Sequence, residues 1–196
     1  MLGCTSWLVP GTWLTNARLA EGLVDYQELL VTSWDASTRL TLEQELSGLR
    51  SLDLQYTVHL PYPDPGQAWD AMQFFENSDF PVLNYVLHPV PGWRAFHWND
   101  SVALENLKDV IEPYPRTVFD VGHHLLGRSV PDTYRASTVE VHAMGVHDGK
   151  DHLALDDETA KVVLPWVTEA TLVTFEVFDY DALLTSLRVW EGRHAG

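Results

Sequence analysis

Short apolar runs rich in Val, Leu, Phe and Tyr, bounded by Pro, Gly, Asp or Asn, recur along this chain. Runs of this kind predict β-strands, here at positions 2–6, 26–31, 55–60, 82–88, 101–105, 116–120, 138–142 and 171–176. Between them the apolar spacing lengthens to a helical period, at 14–23, 41–49, 68–76, 106–111, 158–166 and 180–191. In the second of these, Leu42, Leu46 and Leu49 share a face, and Thr41 with Gln44 has the spacing of a capping box. The connection 89–100 is rich in Pro, Gly and Trp, which predicts a reduced or missing helix. Strands alternating with helices imply a parallel sheet, and eight strands of one polarity close into a barrel. The expectation is therefore a single α/β domain over 1–196, a compact (β/α)₈ barrel. Typical barrels use ~250 residues, so one or more outer helices should be reduced. An open doubly wound sheet is the alternative.

What the strands end on adds chemistry. Tyr56-Thr57-Val58-His59, Tyr85-Val86-Leu87-His88, Val102-Ala103-Leu104-Glu105, Val118-Phe119-Asp120, Val139-Glu140-Val141-His142 and Val173-Thr174-Phe175-Glu176 each finish on a metal-binding side chain. The tips of parallel barrel strands point to one face, and that face is the catalytic one. Glu105 and Glu176 follow apolar residues and have no basic neighbour in sequence. A buried carboxylate needs a partner, and a cation meets that need. Asp120-Val121-Gly122-His123 adds an acid and an imidazole three residues apart, with Gly122 allowing a tight turn. His147, Asp148, Asp151 and His152 crowd the segment after His142, where Asp148-Gly149 predicts a turn.

The expected ligands are His59, His88, Glu105, Asp120, His123, His142, Asp151, His152 and Glu176. Together they would hold one to three divalent ions. Imidazole and carboxylate suit Zn²⁺, Mn²⁺, Fe²⁺ and Co²⁺ without distinguishing them. Glu105 and Glu176 are also the candidates for catalytic proton transfer, with Lys150 and Arg94 placed to meet a substrate anion. Glu28 lies inside its strand and is assigned a structural, ion-paired role. His124 is assigned to the surface or to a supporting position.

Composition narrows the partners. A net charge of −16, from 12 basic and 28 acidic residues, is the reverse of a phosphate-binding surface and argues against nucleic acid. Much of the excess is solubilising surface, and part belongs to the proposed centre. No apolar run approaches the ~20 residues that span a bilayer, so no membrane partner is expected. The start of the chain has no basic segment of a secretory signal, and Cys4 is the only cysteine, so a cytoplasmic protein is expected. Eight Trp are present. Trp7, Trp13, Trp34, Trp93 and Trp98 fall just after predicted strands, Trp69 lies after the third strand, and Trp166 and Trp190 sit in helical patterns. Trp7, Trp34, Trp93 and Trp98, with Arg94, are the expected substrate contacts at the mouth of the barrel.

The ordered series His, His, Glu, Asp-x-x-His, His and Glu resembles the xylose-isomerase-like barrels, which include endonuclease IV and sugar isomerases and epimerases. In the endonuclease branch, the resemblance implies up to three ions on such residues. That branch has Asp-x-His where this chain has adjacent Asp151 and His152, whose side chains diverge in an extended segment, so a third ion is in question. Gly3-Cys4-Thr5-Ser6-Trp7, Asp25-Tyr26-Gln27-Glu28-Leu29-Leu30, Tyr56-Thr57-Val58-His59-Leu60-Pro61, Asp120-Val121-Gly122-His123 and Gly145-Val146-His147-Asp148-Gly149-Lys150-Asp151-His152-Leu153 are similar to a smaller branch, the cobamide-remodelling phosphodiesterases. That resemblance implies metal-dependent hydrolysis of a corrinoid's nucleotide-loop phosphoester, with Lewis-acid chemistry from the ions. The alternative is a divalent-metal sugar isomerase or epimerase. An apurinic-site endonuclease and a corrinoid-binding module without turnover rank below both. The partner is in every case a small molecule, except for the endonuclease, which the charge disfavours.

Overall fold

The computed structural model describes residues 1–194. Its strands are β1 (Leu2–Thr5), β2 (Tyr26–Leu30), β3 (Gln55–His59), β4 (Tyr85–Leu87), β5 (Val102–Glu105), β6 (Thr117–Asp120), β7 (Thr138–Ala143), β8 (Gly145–His147), β9 (Lys150–Leu153) and β10 (Leu172–Phe175). Eight of them, all but β8 and β9, form one closed barrel in sequence order, and β10 pairs with β1 to complete it. Every pairing in the barrel is parallel. Barrel strands covered by helices outside and side chains inside are buried on both faces, which is why the sequence shows continuous apolar runs. Strands β8 and β9 form an antiparallel hairpin. Asp148 and Gly149 turn it, both with positive φ, as a two-residue hairpin loop requires.

The helices are α1 (Trp13–Ala20), α2 (Ala36–Arg50), α3 (Pro65–Asn77), α4 (Val121–Leu126), α5 (Asp157–Val163) and α6 (Tyr180–His194). Helix α2 starts earlier than the capping-box spacing predicts. Asp35 is its cap, accepting from the Thr38 N–H at 2.8 Å, and Thr41 sits inside the helix with its hydroxyl on the Ser37 carbonyl. After β4 only a three-residue 3₁₀ turn, Trp93–Ala95, remains, so this outer helix is reduced as expected.

The predicted helix at 106–111 is absent. Asn106 is the reason. Its side chain donates to the Asp120 carbonyl at 3.0 Å and accepts from the Asp120 N–H at 2.8 Å, which fastens the chain alongside β6. The Lys108 carbonyl then accepts from the Arg128 N–H, and Pro113 and Pro115 follow. The short helix α4 forms instead, directly off the tip of β6.

Packing is divided between the outside and the inside of the barrel. Two large apolar clusters lie between strands and helices, whereas Val86, Ala103 and Val118 form only a small apolar cluster of their own. A polar network runs between strands. Glu140 on β7 accepts from Thr174 at 2.6 Å and from Asn84 at 2.7 Å, and the Tyr26 hydroxyl bonds Thr174 at 2.8 Å. This layer lies below the strand tips and beside the candidate site. No helix among the described residues is long and apolar enough to cross a membrane.

Candidate metal centre

The barrel brings the six strand tips together. His59, Glu105 and Asp120 are the last residues of β3, β5 and β6, His88 and Glu176 directly follow β4 and β10, and His142 is last but one in β7. Glu105, Asp120, His142 and Glu176 each offer one ligand atom, all within 4.8 Å of one another, and His59, His88 and Glu105 form a second such group. Glu105 belongs to both. Its Oε2 lies 2.9 Å from His88 Nε2 and 3.3 Å from His59 Nε2, while its Oε1 is 3.5 Å from His142 Nδ1. His142 Nδ1 is also 3.3 Å from Glu176 Oε2 and 3.7 Å from Asp120 Oδ2.

These contacts are close, yet many of the atoms make no hydrogen bond. Glu105 Oε2, Asp120 Oδ2, Glu176 Oε2 and both nitrogens of His142 are buried without a hydrogen-bond partner among the described residues. Buried polar atoms are nearly always satisfied. A cluster of orphans converging from four strands is the signature expected of ligands that a cation satisfies, and a set of three carboxylates and one imidazole suits a divalent ion. The residues therefore fit such an ion.

Without a cation, protons balance the charge. Burial alone would lower His59, but the Glu105 carboxylate beside it raises it to about 9. His88 shares the same carboxylate oxygen, and there burial prevails, aided by the charges of His59 and His123, so its pKa is lowered. His142 is raised well above 6.5, because Glu28, Glu176 and Glu105 outweigh its burial. Glu105 is held well below 4.5 despite burial, by His88 and His142. Asp120 is lowered in the same way, chiefly by His142. Glu176 moves the other way, since burial lifts it to about 7.

The other expected ligands lie at the edge of the cluster, with His123 Nδ1 3.5 Å from Glu105 Oε1 and 3.7 Å from Asp120 Oδ1, and His152 Nδ1 3.9 Å from Glu176 Oε2. Asp151 is ion-paired with Lys108 at 2.9 Å. His152, at positive φ, directs Nδ1 to the Glu176 carbonyl at 3.1 Å and stacks on Phe178. Neither belongs to the two groups formed at the strand tips. His123 Nδ1 donates to the Asn106 carbonyl at 2.8 Å, and His123 also joins neither group. Gly122 does not make a tight turn; it lies in α4, where a Cβ would come within 2.9 Å of both Asp151 and Met144. The absence of a side chain there lets the hairpin close over β6. His124 supports the fold, accepting from the Val130 N–H.

The expected tryptophan rim is mostly internal. Trp93 and Trp98 are 4% and 9% exposed and pack in the cluster shared with α2 and α3. Their ring N–H groups are taken by Glu112 and by the Trp93 carbonyl. Trp34 packs against Phe74 of α3. Arg94 is held by Glu112 and lies over the Trp93 ring, and Lys150 is exposed at the start of β9. Trp34, Trp93, Trp98 and Arg94 are engaged by packing and by Glu112, away from the mouth. Trp7 alone keeps an exposed position, edge-on to Phe178. Tyr62, exposed and 4.7 Å from the His88 ring, is not singled out by sequence, nor are Phe178, Lys108, Asn106 and Glu140. The loop residues among these give no periodic signal, and Glu140 lies inside β7 rather than at its tip, so only the fold brings them to the site.

No family profile matches the sequence, and no curated protein matches it. Among solved structures, a D-tagatose 3-epimerase-like protein superposes with a TM-score of 0.66 at 12% identity, over 99% of this chain and 97% of that one. A D-psicose 3-epimerase from Clostridium cellulolyticum H10, solved with D-tagatose, superposes with a TM-score of 0.52 at 8% identity, over 99% and 98%. At such identities the likeness is one of fold: the chain is a compact, closed eight-stranded parallel barrel, with buried His, Asp and Glu clusters suited to a divalent cation.

Proposed function

We propose that this chain is a divalent-metal-dependent isomerase or epimerase of a small polyhydroxy ketone. The observation that supports it is the group Glu105, Asp120, His142 and Glu176, in a barrel shaped like a 3-epimerase-like protein and a 3-epimerase. An ion held there supplies Lewis-acid polarisation of a carbonyl oxygen. In the metal-free centre Glu105 is held ionised while burial lifts Glu176 to about 7; with a cation bound both would be carboxylate ligands, and either could exchange a proton with a carbon beside the carbonyl. His59 and His88 have imidazole nitrogens for substrate hydroxyls, and Tyr62, Trp7 and Phe178 border the mouth.

Hydrolysis of a cobamide phosphodiester, which the sequence resemblance places first, becomes the second reading. It has less support from the rim, where Trp93 and Trp98 are buried and Arg94 is paired with Glu112. One observation favours it: the His59, His88 and Glu105 group gives a second binding position that isomerisation does not need.

The two are separated by stripping the protein with chelator and restoring Zn²⁺, Mn²⁺, Fe²⁺ or Co²⁺ singly. Ketose epimerisation and cobamide cleavage are then assayed side by side, with products identified by mass. Metal-restored epimerisation supports the first reading, and a phosphate-bearing fragment of the cobamide supports the second. Full activity after chelation would remove both, and cobamide binding without turnover under every metal would indicate a binding module.

A further inference from the structure

We infer that Glu28, on β2, is a positioning residue: it accepts from the Nε2–H of His142 and so leaves Nδ1 free to face Glu105, Asp120 and Glu176. The inference rests on the reading that those four tip residues hold a cation.

A neutral imidazole carries one proton, and the nitrogen that bears it cannot bind a metal. Which nitrogen is free is set by what the other one meets. His142 is fully buried and has carboxylates on both sides of its ring. Nδ1 faces three of them at 3.3–3.7 Å. Nε2 faces Glu28 Oε2 at 3.3 Å. Once a cation sits among the three tip carboxylates, a proton on Nδ1 is repelled. Glu28 is then the acceptor that keeps the proton on the opposite nitrogen.

The placement of Glu28 has no other evident purpose. It lies in mid-strand, in register with Thr5 of β1 and Thr57 of β3, one layer below the tips. Its side chain is wholly buried, and neither carboxylate oxygen has a hydrogen-bond partner among the described residues. An isolated buried carboxylate is costly, and apolar replacements of buried charges are often neutral or stabilising. A carboxylate behind a metal-binding imidazole has a physical reason to be there, since it fixes ring orientation and raises ligand basicity.

Glu140 does not share this role. It lies close enough to form a third group with Glu28 and His142, but both its oxygens are engaged by Thr174 and Asn84. A cation below the ring would therefore have to break those bonds and compete for Nε2.

The test compares Zn²⁺ affinity, by competition with a chromogenic chelator, in wild type, Glu28→Gln and Glu176→Gln. The amide introduced by Glu28→Gln can donate to Nε2 and favour the proton on Nδ1. Affinity in Glu28→Gln should therefore fall roughly 10- to 100-fold. Two-bond ¹H–¹⁵N spectra of the Zn²⁺-loaded wild type should show His142 ligated at Nδ1 and protonated at Nε2. This measurement decides the matter even if Glu28→Gln does not fold. Ligation through Nε2, or unchanged affinity in a folded Glu28→Gln, overturns the inference. So does a second Zn²⁺ equivalent lost only in Glu28→Gln, which would make Glu28 itself a ligand. If Glu176→Gln binds Zn²⁺ as tightly as wild type, the tip centre itself is wrong. If Glu176→Gln weakens binding and Glu28→Gln does not, only the role of Glu28 fails.

Discussion

Glu105→Gln keeps the shape of the side chain and removes the one negative charge that both ligand groups share. Its cost in the metal-free protein can be worked from His59. That imidazole is raised from 6.5 to about 9, with Glu105 the main raising influence. At about 1.4 kcal/mol for each pH unit, the pairing corresponds to about 3 kcal/mol or slightly more. A raised imidazole stabilises fully below its unfolded pKa of 6.5, and the contribution fades as pH rises through the folded value. Glu105 itself is held well below 4.5, so its contribution is complete above that pH and is lost only in stronger acid. The two overlap between pH 4.5 and 6.5. In chelator, thermal unfolding should therefore separate wild type from Glu105→Gln most near about pH 6. One kcal/mol moves the midpoint of a chain this size by about 2–4 °C, so the gap should be roughly 6–12 °C. It should narrow steadily toward about pH 9.5. A gap that is constant with pH, or that widens toward alkali, would refute the claim that Glu105 stabilises an imidazolium in the metal-free centre.

Metal affinity should rise with pH, because a cation must displace protons from His142 and Glu176, both raised. Chelator competition should give binding at least ~10-fold tighter at about pH 8.5 than at about 6.5, and equal affinity at both would place the ion elsewhere. Trp7→Ala should raise KM for the substrate while leaving the unfolding midpoint nearly unchanged, since the ring is 47% exposed. Trp93→Ala should cost about 3–5 kcal/mol of stability, because that ring is in the core; the reverse pattern would restore Trp93 to the mouth. Gly3→Ala would place a Cβ 2.4 Å from the Tyr26 ring, and urea unfolding should show a loss of about 1–3 kcal/mol. No loss would mean that Tyr26 can move off β1.

The candidate site was legible because buried charge is conspicuous in an apolar run. His59, His88, Glu105, Asp120, His142 and Glu176 each interrupt or end a run of residues that otherwise belongs in a core. Parallel strands carry such tips to one face whatever the loops do. Loop residues gave no comparable signal. Trp93, Trp98 and Arg94 stand in the right places along the chain, but Glu112 and core packing claim them. Asp151 and His152 are read as ligands from crowding and from the resemblance, and in the hairpin they meet Lys108 and the Glu176 carbonyl.

By itself, then, the sequence determined the strand-and-helix alternation, the closed parallel barrel and the acids and imidazoles at its tips. These follow from local periodicity and from the cost of burying charge, both of which act over a few residues. The tertiary structure decided which of those groups face one another and what lies behind them. It gave Glu105 to both ligand groups, put Glu28 beneath His142, used Asn106 to tie β5 to β6, and left His123 outside either group. Those choices depend on distances between strands that are far apart in the chain, and no pattern along the chain encodes such distances.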